Sequence, residues 1–554
     1  MVEAPLQLKV ALEALEGGLS TATASARGAA WAFLGISFGA GVLTFLMRRL
    51  LIGTSRHVER DLKREVFGHL ERLPSSYFDR SRTGDLISRL TSDIDAVRWF
   101  FGPGFMYVGG TLVLFPMVLV RMAGISLPLT LFALLPLLGI LLVVRLTAPA
   151  IMRRTRAVQA RTGDLSARAQ ESFAGARVVR AYATEPLEIE AFGAVNEELV
   201  HETVQLARLR AVMSGLIYVL GGGAELVVLL YGGTQVMEGT LTLGDLLPLL
   251  AYVGMLIWPM ISVGWVVSAI QRAAAAMRRI NEVLDTPPEQ SVRADEAVPG
   301  PPTHGALRVS HLTYTYPGGD RPALEDVSFD LPKGSVLAIV GPVAAGKSTL
   351  LRLLTRLYEP PPGTIFLDDV DVLARPLEDL RRAFAVVPQD AFLFSNTIEA
   401  NLAYAQAGPL DEGRARHVTH IAGLEEDLQA LPKGLATVVG ERGLMLSGGQ
   451  KQRVTLARAL LRDAPLLLLD DCLSAVDTQT EARILERLQV EMRRRTVVVV
   501  AQRLSTVRGA DRIVVLDGGR VRESGTHEEL LAAEGWYART HIQQRLQAEL
   551  EGDA

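Results

Sequence analysis

The chain reads as an α-helical membrane domain followed by an α/β domain organised around one glycine-bounded loop. Three observations predict this. Long apolar segments crowd the first half of the 554 residues, whereas the second half has the mixed texture of a soluble domain. Residues 341–349, GPVAAGKST, interrupt the apolar run 336–340, and leucines then return at helical spacing at 350, 351, 353 and 354, which gives strand, loop and helix in that order. Between the halves lies a proline-rich connector.

In the first half, segments near 28–52, 102–122, 126–147, 209–232 and 245–270 reach the length of about 20 apolar residues that a bilayer crossing requires. One such segment could be a buried core helix, but five in succession argue for a membrane. Between them run two polar helical stretches, 53–100 and 151–208. At about 1.5 Å per residue, each can leave the membrane by tens of ångströms and return as a hairpin. Arg153, Arg154, Arg156, Arg161, Arg168, Arg177 and Arg180 place the second hairpin in the cytoplasm, and the short opposite connections, 123–125 and 233–242, carry no Lys or Arg. No secretory signal opens the chain. The amphipathic segment 5–18 is too short to span, so an N-terminus outside and five crossings leave the second half in the cytoplasm.

The predicted membrane domain covers residues 1–285 and the connector 286–306, where prolines recur at 287, 288, 299, 301 and 302. An α/β domain follows over 307–554, its early residues alternating like strands of an antiparallel edge. Its loop fits G-x-x-x-x-G-K-[ST], in which backbone N–H groups at a helix N-terminus wrap a phosphate chain, Lys347 reaches the β and γ phosphates and Ser348 ligates Mg²⁺. A net charge of −4 offers nothing to a nucleic acid, and the single cysteine, Cys472, excludes an intramolecular disulfide and a cysteine-based metal site.

Downstream stand VVPQD at 386–390, LSGGQKQR at 446–453, LLLLDDCLSAVD at 466–477 and VAQRLST at 500–506. In this order, and behind a membrane half with long cytoplasmic hairpins, the chain resembles ATP-binding cassette (ABC) transporters of the exporter branch over nearly its whole length. That resemblance implies an α-helical transmembrane domain fused to a P-loop ATPase of the ABC type, with ATP and Mg²⁺ as its ligands. It implies adenine stacking by Tyr316, and a phosphate cradle from Gly341, Val343, Ala344, Ala345, Gly346, Lys347, Ser348 and Thr349. Gln389 resembles the glutamine at the Mg²⁺ and γ-phosphate, and Asp470 the carboxylate that holds Mg²⁺ through water. Ser447, Gly448, Gly449 and Gln450 resemble the signature that closes on ATP bound to a partner cassette. Sites are then composite, shared between two half-transporter chains.

Three departures from the family pattern bear on activity. Where the family has a glutamate that activates water, this chain has Asp471, which withdraws the carboxylate by about 1 Å; misplacement of that size can cost on the order of 10²-fold. Where a histidine senses the γ-phosphate, Gln502 donates a hydrogen bond but never carries charge. In the loop, Val343 and Ala344 replace a hydroxyl residue and a glycine, and Ala344 is strained if its position needs φ > 0. With the signature intact, the chain resembles the impaired-site subunit of a heterodimeric, multidrug-type exporter moving a lipophilic compound, lipid or peptide through the bacterial inner membrane. The alternatives are an active homodimer and an ATP-sensing regulatory or channel subunit.

The family's membrane half has six spans, against five here. Residues 5–18 resemble the outer end of its first helix, so the start is placed late or the chain is a five-span variant. Residues 75–79 with 83–85, and 182–185, resemble the coupling tips of the two hairpins, and Glu441 with Arg442 the segment that touches such tips. Glu225, the one acid of the fourth apolar segment, is a functional candidate because an intramembrane charge is costly.

Overall fold

The structure, a computed structural model, describes residues 2–16, 19–289, 304–406 and 408–552. It divides into two compact units, one of Met1–Arg72 with Arg82–Thr286 and one of Leu73–Ser81 with Pro287–Ala554. Most of the expected connector, 290–303, lies outside the described residues, as do Gly17 and Gly18.

The first unit is helical. Its chain order is α1 (Ala4–Glu16), α2 (Leu19–Leu70), then, past the short α3 (Ser75–Arg80) that belongs to the second unit, α4 (Thr83–Ser88), α5 (Ile94–Trp99), α6 (Phe105–Ile125), α7 (Leu127–Ala174), α8 (Ala176–Ala181), α9 (Glu185–Met237) and α10 (Leu243–Leu284). Among the described residues, five helical stretches are long and apolar enough to cross a membrane, as the sequence predicts. At 53 residues, α9 is about 80 Å long, so one helix serves as both membrane span and hairpin arm.

The arms of the second hairpin are laced by ion pairs. Arg154, Arg161 and Arg168 recur every seven residues on α7, which keeps them on one stripe, and face Glu202, Glu198 and Glu188 of α9 at 2.8, 3.0 and 3.0 Å. The arginines that mark this hairpin as cytoplasmic thus also pair its arms, each exposed pair worth well under about 1 kcal/mol.

The first hairpin departs from regular helix. π-helical turns occupy Arg89–Asp93 and Phe100–Gly104, the second containing Pro103, whose missing N–H breaks the regular ladder. Asp93, buried, receives Arg279 of α10 at 2.9 and 2.5 Å. Trp265 of α10 meets Trp99 and Tyr107 edge to face, with ring centroids 4.6 and 5.2 Å apart.

At the opposite ends of α6 and α10, α1 is tied in. Lys9 donates to Asp245 at 2.5 Å, Arg121 pairs with Glu3, and the Tyr252 hydroxyl donates to the Val2 carbonyl at 2.8 Å. Asp245 also closes the capping box that starts α10 at Thr242. The apolar face of α2 stays open, with Trp31 71% and Phe38 77% exposed on this unit.

The second unit carries two sheets. A four-stranded antiparallel sheet has the order β2-β1-β4-β5, from β1 (Leu307–Tyr314), β2 (Leu324–Leu331), β4 (Ile365–Leu367) and β5 (Val370–Asp371). A six-stranded sheet has the order β10-β9-β3-β8-β7-β6, from β3 (Val336–Val340), β6 (Phe384–Val387), β7 (Leu466–Asp470), β8 (Thr496–Val500), β9 (Arg512–Asp517) and β10 (Arg520–Gly525). Its strands are parallel except at the β10 edge. Leu466 and Leu468 of β7 enter one apolar cluster with Leu337 and Ile339, while Leu467 and Leu469 enter another with Ala338 and Val340. This two-residue alternation buries both faces of the sheet, at about 1.5–3 kcal/mol per leucine. Four helices carry site residues: α11 (Lys347–Leu354), α12 (Gly448–Leu461), α13 (Thr478–Met492) and α14 (Trp536–Gly552).

The loop between β3 and α11 is fixed by its backbone. Gly341 has φ 148°, and a Cβ there would lie 1.9 Å from the Leu516 carbonyl oxygen; Gly346 has φ 96°, with the Ala323 carbonyl oxygen 2.7 Å from a Cβ. Ala344 has φ 64°, the left-handed conformation in which an alanine is strained.

Three predictions rest on these contacts. Arg279→Ala strands the buried Asp93 carboxylate and is expected to cost about 3 kcal/mol, read as a lower thermal midpoint in detergent, with Arg279→Lys recovering part of it. Gly346→Ala is expected to abolish nucleotide binding in an equilibrium assay. Ala344→Gly trades about 1 kcal/mol of relieved strain against a similar entropy gain of the unfolded chain, so its stability is expected to stay within about 1 kcal/mol of the parent.

Candidate functional site

The C-terminal ends of β3, β8 and β7, neighbours in the parallel sheet, deliver their loops to one place. After β3 come Val343 to Thr349, at the end of β7 stand Asp470 and Asp471, and past β8 comes Gln502. With Tyr316, Arg321, Gln389 and the Gly518-Gly519 turn they line a cavity of about 600 Å³. Gly341 contributes its carbonyl, which with that of Pro342 accepts from the Lys347 ammonium at 2.8 and 2.7 Å.

Burial pushes the Lys347 ammonium below its usual range, while Asp471 and Asp470 pull it back. The same loss of solvent raises the Asp470 carboxyl, opposed by a hydrogen bond from the Ser348 hydroxyl. Asp471 is raised too, opposed by the backbone N–H of Gln502, which donates to its carboxylate. Asp471 has φ 46°, a left-handed turn that aspartate tolerates, and its own N–H donates to the Val500 carbonyl at 2.8 Å. Ser348, Gln389 and Asp470 bring hydroxyl, amide and carboxylate oxygens to one cavity, a hard oxygen set that fits Mg²⁺ with part of its water retained.

Tyr316 lies just beyond the end of β1 rather than within it. Its hydroxyl donates to Thr349 at 3.1 Å and its ring meets Tyr358 edge to face at 5.1 Å. The Tyr358 hydroxyl in turn donates to Asp79 of α3, and Arg80 donates to the Pro317 carbonyl at 3.2 Å. Burial and the Asp79 hydrogen bond push the Tyr358 hydroxyl up to about 12. The first hairpin tip, residues 75–80, thus grips both sides of Tyr316. In the first unit the second tip is exposed, Tyr182 by 78%, and Glu225 lies on an exposed face of α9 without an ion pair among the described residues.

The signature residues Ser447, Gly448, Gly449 and Gln450 stand outside this cavity. They open α12: the Ser447 hydroxyl accepts the Gln450 N–H at 3.2 Å, and the Gln450 amide oxygen accepts the Ser447 N–H at 2.9 Å. Gly449 is required, since a Cβ there would lie 2.9 Å from the Ala475 carbonyl oxygen. The N–H groups of Gly448 and Gly449 have no acceptor among the described residues, which leaves a helix N-terminus able to bind an anion. Glu441 and Arg442 lie in the turn Glu441–Gly443 before it. Sequence reasoning missed Arg321, Tyr358 and the glycine turn at 518–519. Arg321 lay only a few residues past Tyr316, whereas Tyr358 and the glycine turn come from distant elements.

Comparison with known proteins agrees with this geometry. Residues 2–260 match the ABC transporter transmembrane region and residues 324–474 the ABC transporter domain. The multidrug resistance-like ATP-binding protein MdlA of Escherichia coli is 37% identical over 511 residues, 92% of this chain and 86% of the relative. The ATP-dependent lipid A-core flippase of Aromatoleum aromaticum is 36% identical over 518 residues, 93% and 84% of the two chains. A solved bacterial Atm1-family ABC exporter with ATP bound superposes with a TM-score of 0.79 at 29% identity, covering 98% of this chain and 95% of that one. The chain therefore belongs to the ABC transporters of the exporter type, multi-pass membrane proteins whose ATPase domain lies in the cytoplasm.

Proposed function

We propose that this chain is one half of a heterodimeric exporter, binding ATP in an impaired site of its own and lending its signature to a working site on its partner. The observation that carries this reading is Asp471. The shorter carboxylate meets the Gln502 N–H in the cavity that also contains Lys347, while the signature at the start of α12 is complete and stands outside that cavity.

In this reading the amides of residues 343–349 and Lys347 bind the phosphates, and Tyr316 stacks on adenine. Ser348, Gln389 and Asp470 would hold Mg²⁺, which would neutralise negative charge on the phosphates. Asp471 stops short of the attacking water, and Gln502 hydrogen-bonds the γ-phosphate without adding charge. ATP then stays bound for longer here than at the partner's site and holds two cassettes together. Closure reaches the membrane helices through the hairpin tips, as the Asp79–Tyr358–Tyr316 chain of contacts suggests. The names of the relatives favour a lipophilic drug or a lipid as the molecule moved outward.

The purified chain alone is expected to hydrolyse ATP slowly, and Asp471→Glu to raise the rate at this site on the order of 10²-fold with little change in ATP affinity. Single-turnover hydrolysis alongside equilibrium binding measures both. Brisk turnover by the unaltered chain, self-paired in detergent, would overturn the impaired-site reading in favour of an active homodimer. ATP-dependent dye uptake into vesicles holding both chains separates transport from ATP sensing.

A further inference from the structure

The segment after β8 is held from behind by the C-terminal helix. The side-chain amide of Gln544 on α14 accepts the Leu504 N–H at 2.8 Å and donates to the Gln502 carbonyl at 2.9 Å, so one side chain holds the two peptide units that follow Gln502. Packing holds the segment at Leu504 and Val507, which are buried in an apolar cluster, whereas Gln502 itself is exposed. Beneath it lies a cavity of about 210 Å³ with Asp471, Gln502 and Arg503 in one wall and Leu485 and Leu488 of α13 in another. At the exposed Gln502 the position rests on side-chain ties, and Glu481 of α13 adds a second one just beyond, buried and accepting from Arg503 and from the Thr506 hydroxyl, the latter at 2.8 Å.

The helix α14 is itself well anchored. At its start the Trp536 and Tyr537 N–H groups donate to Glu523, and the fully buried Tyr537 places its hydroxyl 2.8 Å from His527. The anchor lies about two turns before Gln544, close enough to set where the amide sits. Released from Gln544, the Gln502 carbonyl loses its tie, and Gln502 can shift over the cavity between the buried Ala501 and Leu504, altering how its backbone meets Asp471.

We propose that Gln544 is a positioning residue for this cassette, holding Gln502 where its amide meets the γ-phosphate, so that the C-terminal helix sets how well the site tells ATP from ADP. The proposal rests on the assignment of Gln502 to the γ-phosphate, and the test separates the two. Binding of a β,γ-imido ATP analogue and of ADP, each with Mg²⁺, is measured on the full-length chain in detergent for Gln544→Ala, Gln502→Ala and Gln543→Ala, the last on an exposed neighbour of the same helix.

Loss of hydrogen bonds aimed at one phosphate is expected to weaken the ATP analogue about three- to tenfold in both Gln544→Ala and Gln502→Ala, with ADP unchanged and Gln543→Ala like the parent. Faster hydrogen exchange at the Leu504 amide in Gln544→Ala is expected alongside. If Gln502→Ala is selective while Gln544→Ala changes neither nucleotide, or weakens both equally as general damage to the cassette does, the Gln544 proposal is overturned. A Gln502→Ala chain that binds both nucleotides as the parent does removes the γ-phosphate assignment, and the role of Gln544 with it.

Discussion

Side chains along β3, β8 and β7 alternate between two apolar clusters, so no polar group can sit within these strands without losing its solvent, and chemistry is confined to the points where they end. Because the three strands are parallel neighbours, their ends coincide. The phosphate loop, the aspartate pair and Gln502 come from distant sequence positions, yet the sheet leaves them one edge to occupy. Asp470 is the residue at which this rule is tested. It is the last residue of a strand otherwise made of leucine and is itself buried, which raises its carboxyl.

Around that edge the backbone takes conformations that most residues avoid. Gly341 and Gly346 have carbonyls where a Cβ would be, Ala344 accepts a left-handed φ without a glycine, and Asp471 turns the chain out of β7 with another. Each costs of order 1 kcal/mol or more unless glycine carries it, and the sheet can impose that cost because its own burial is worth many times as much. The outcome is a loop whose N–H groups converge on one cavity. An anion can bind there with little further ordering, as the helix N-terminus at Lys347 requires.

Much of this was legible before the fold. Apolar segments of bilayer length, the strand–loop–helix around Lys347 and the order of the motifs are local features, and each reports the element it forms. The strain at Ala344 was legible only as a condition, because the path of the loop depends on neighbours that sequence spacing does not place, such as the Leu516 and Ala323 carbonyls beside Gly341 and Gly346. The π-helical turns at Arg89–Asp93 and Phe100–Gly104 escaped notice, since a single proline marks the second and nothing local marks the first. Tyr358 and Gln544 were invisible for a plainer reason. Each acts through one or two hydrogen bonds to an element far away in the chain, and neither belongs to a run with a period.

The two distant residues hold opposite ends of the cavity. Tyr358 ties the Tyr316 end to the first hairpin tip, and Gln544 ties the Gln502 end to the C-terminal helix, so the two ends of the cavity answer to different parts of the chain. A cassette that hydrolyses quickly has no need to hold nucleotide at both ends between turnovers. One that keeps ATP bound while another site works does need this, because its bound state must persist while its signature helix, with the Gly448 and Gly449 N–H groups unspent, is engaged elsewhere. A short carboxylate at 471, an uncharged amide at 502 and a cavity braced from two directions are consistent with one another under the proposed reading, in which each favours retention over cleavage.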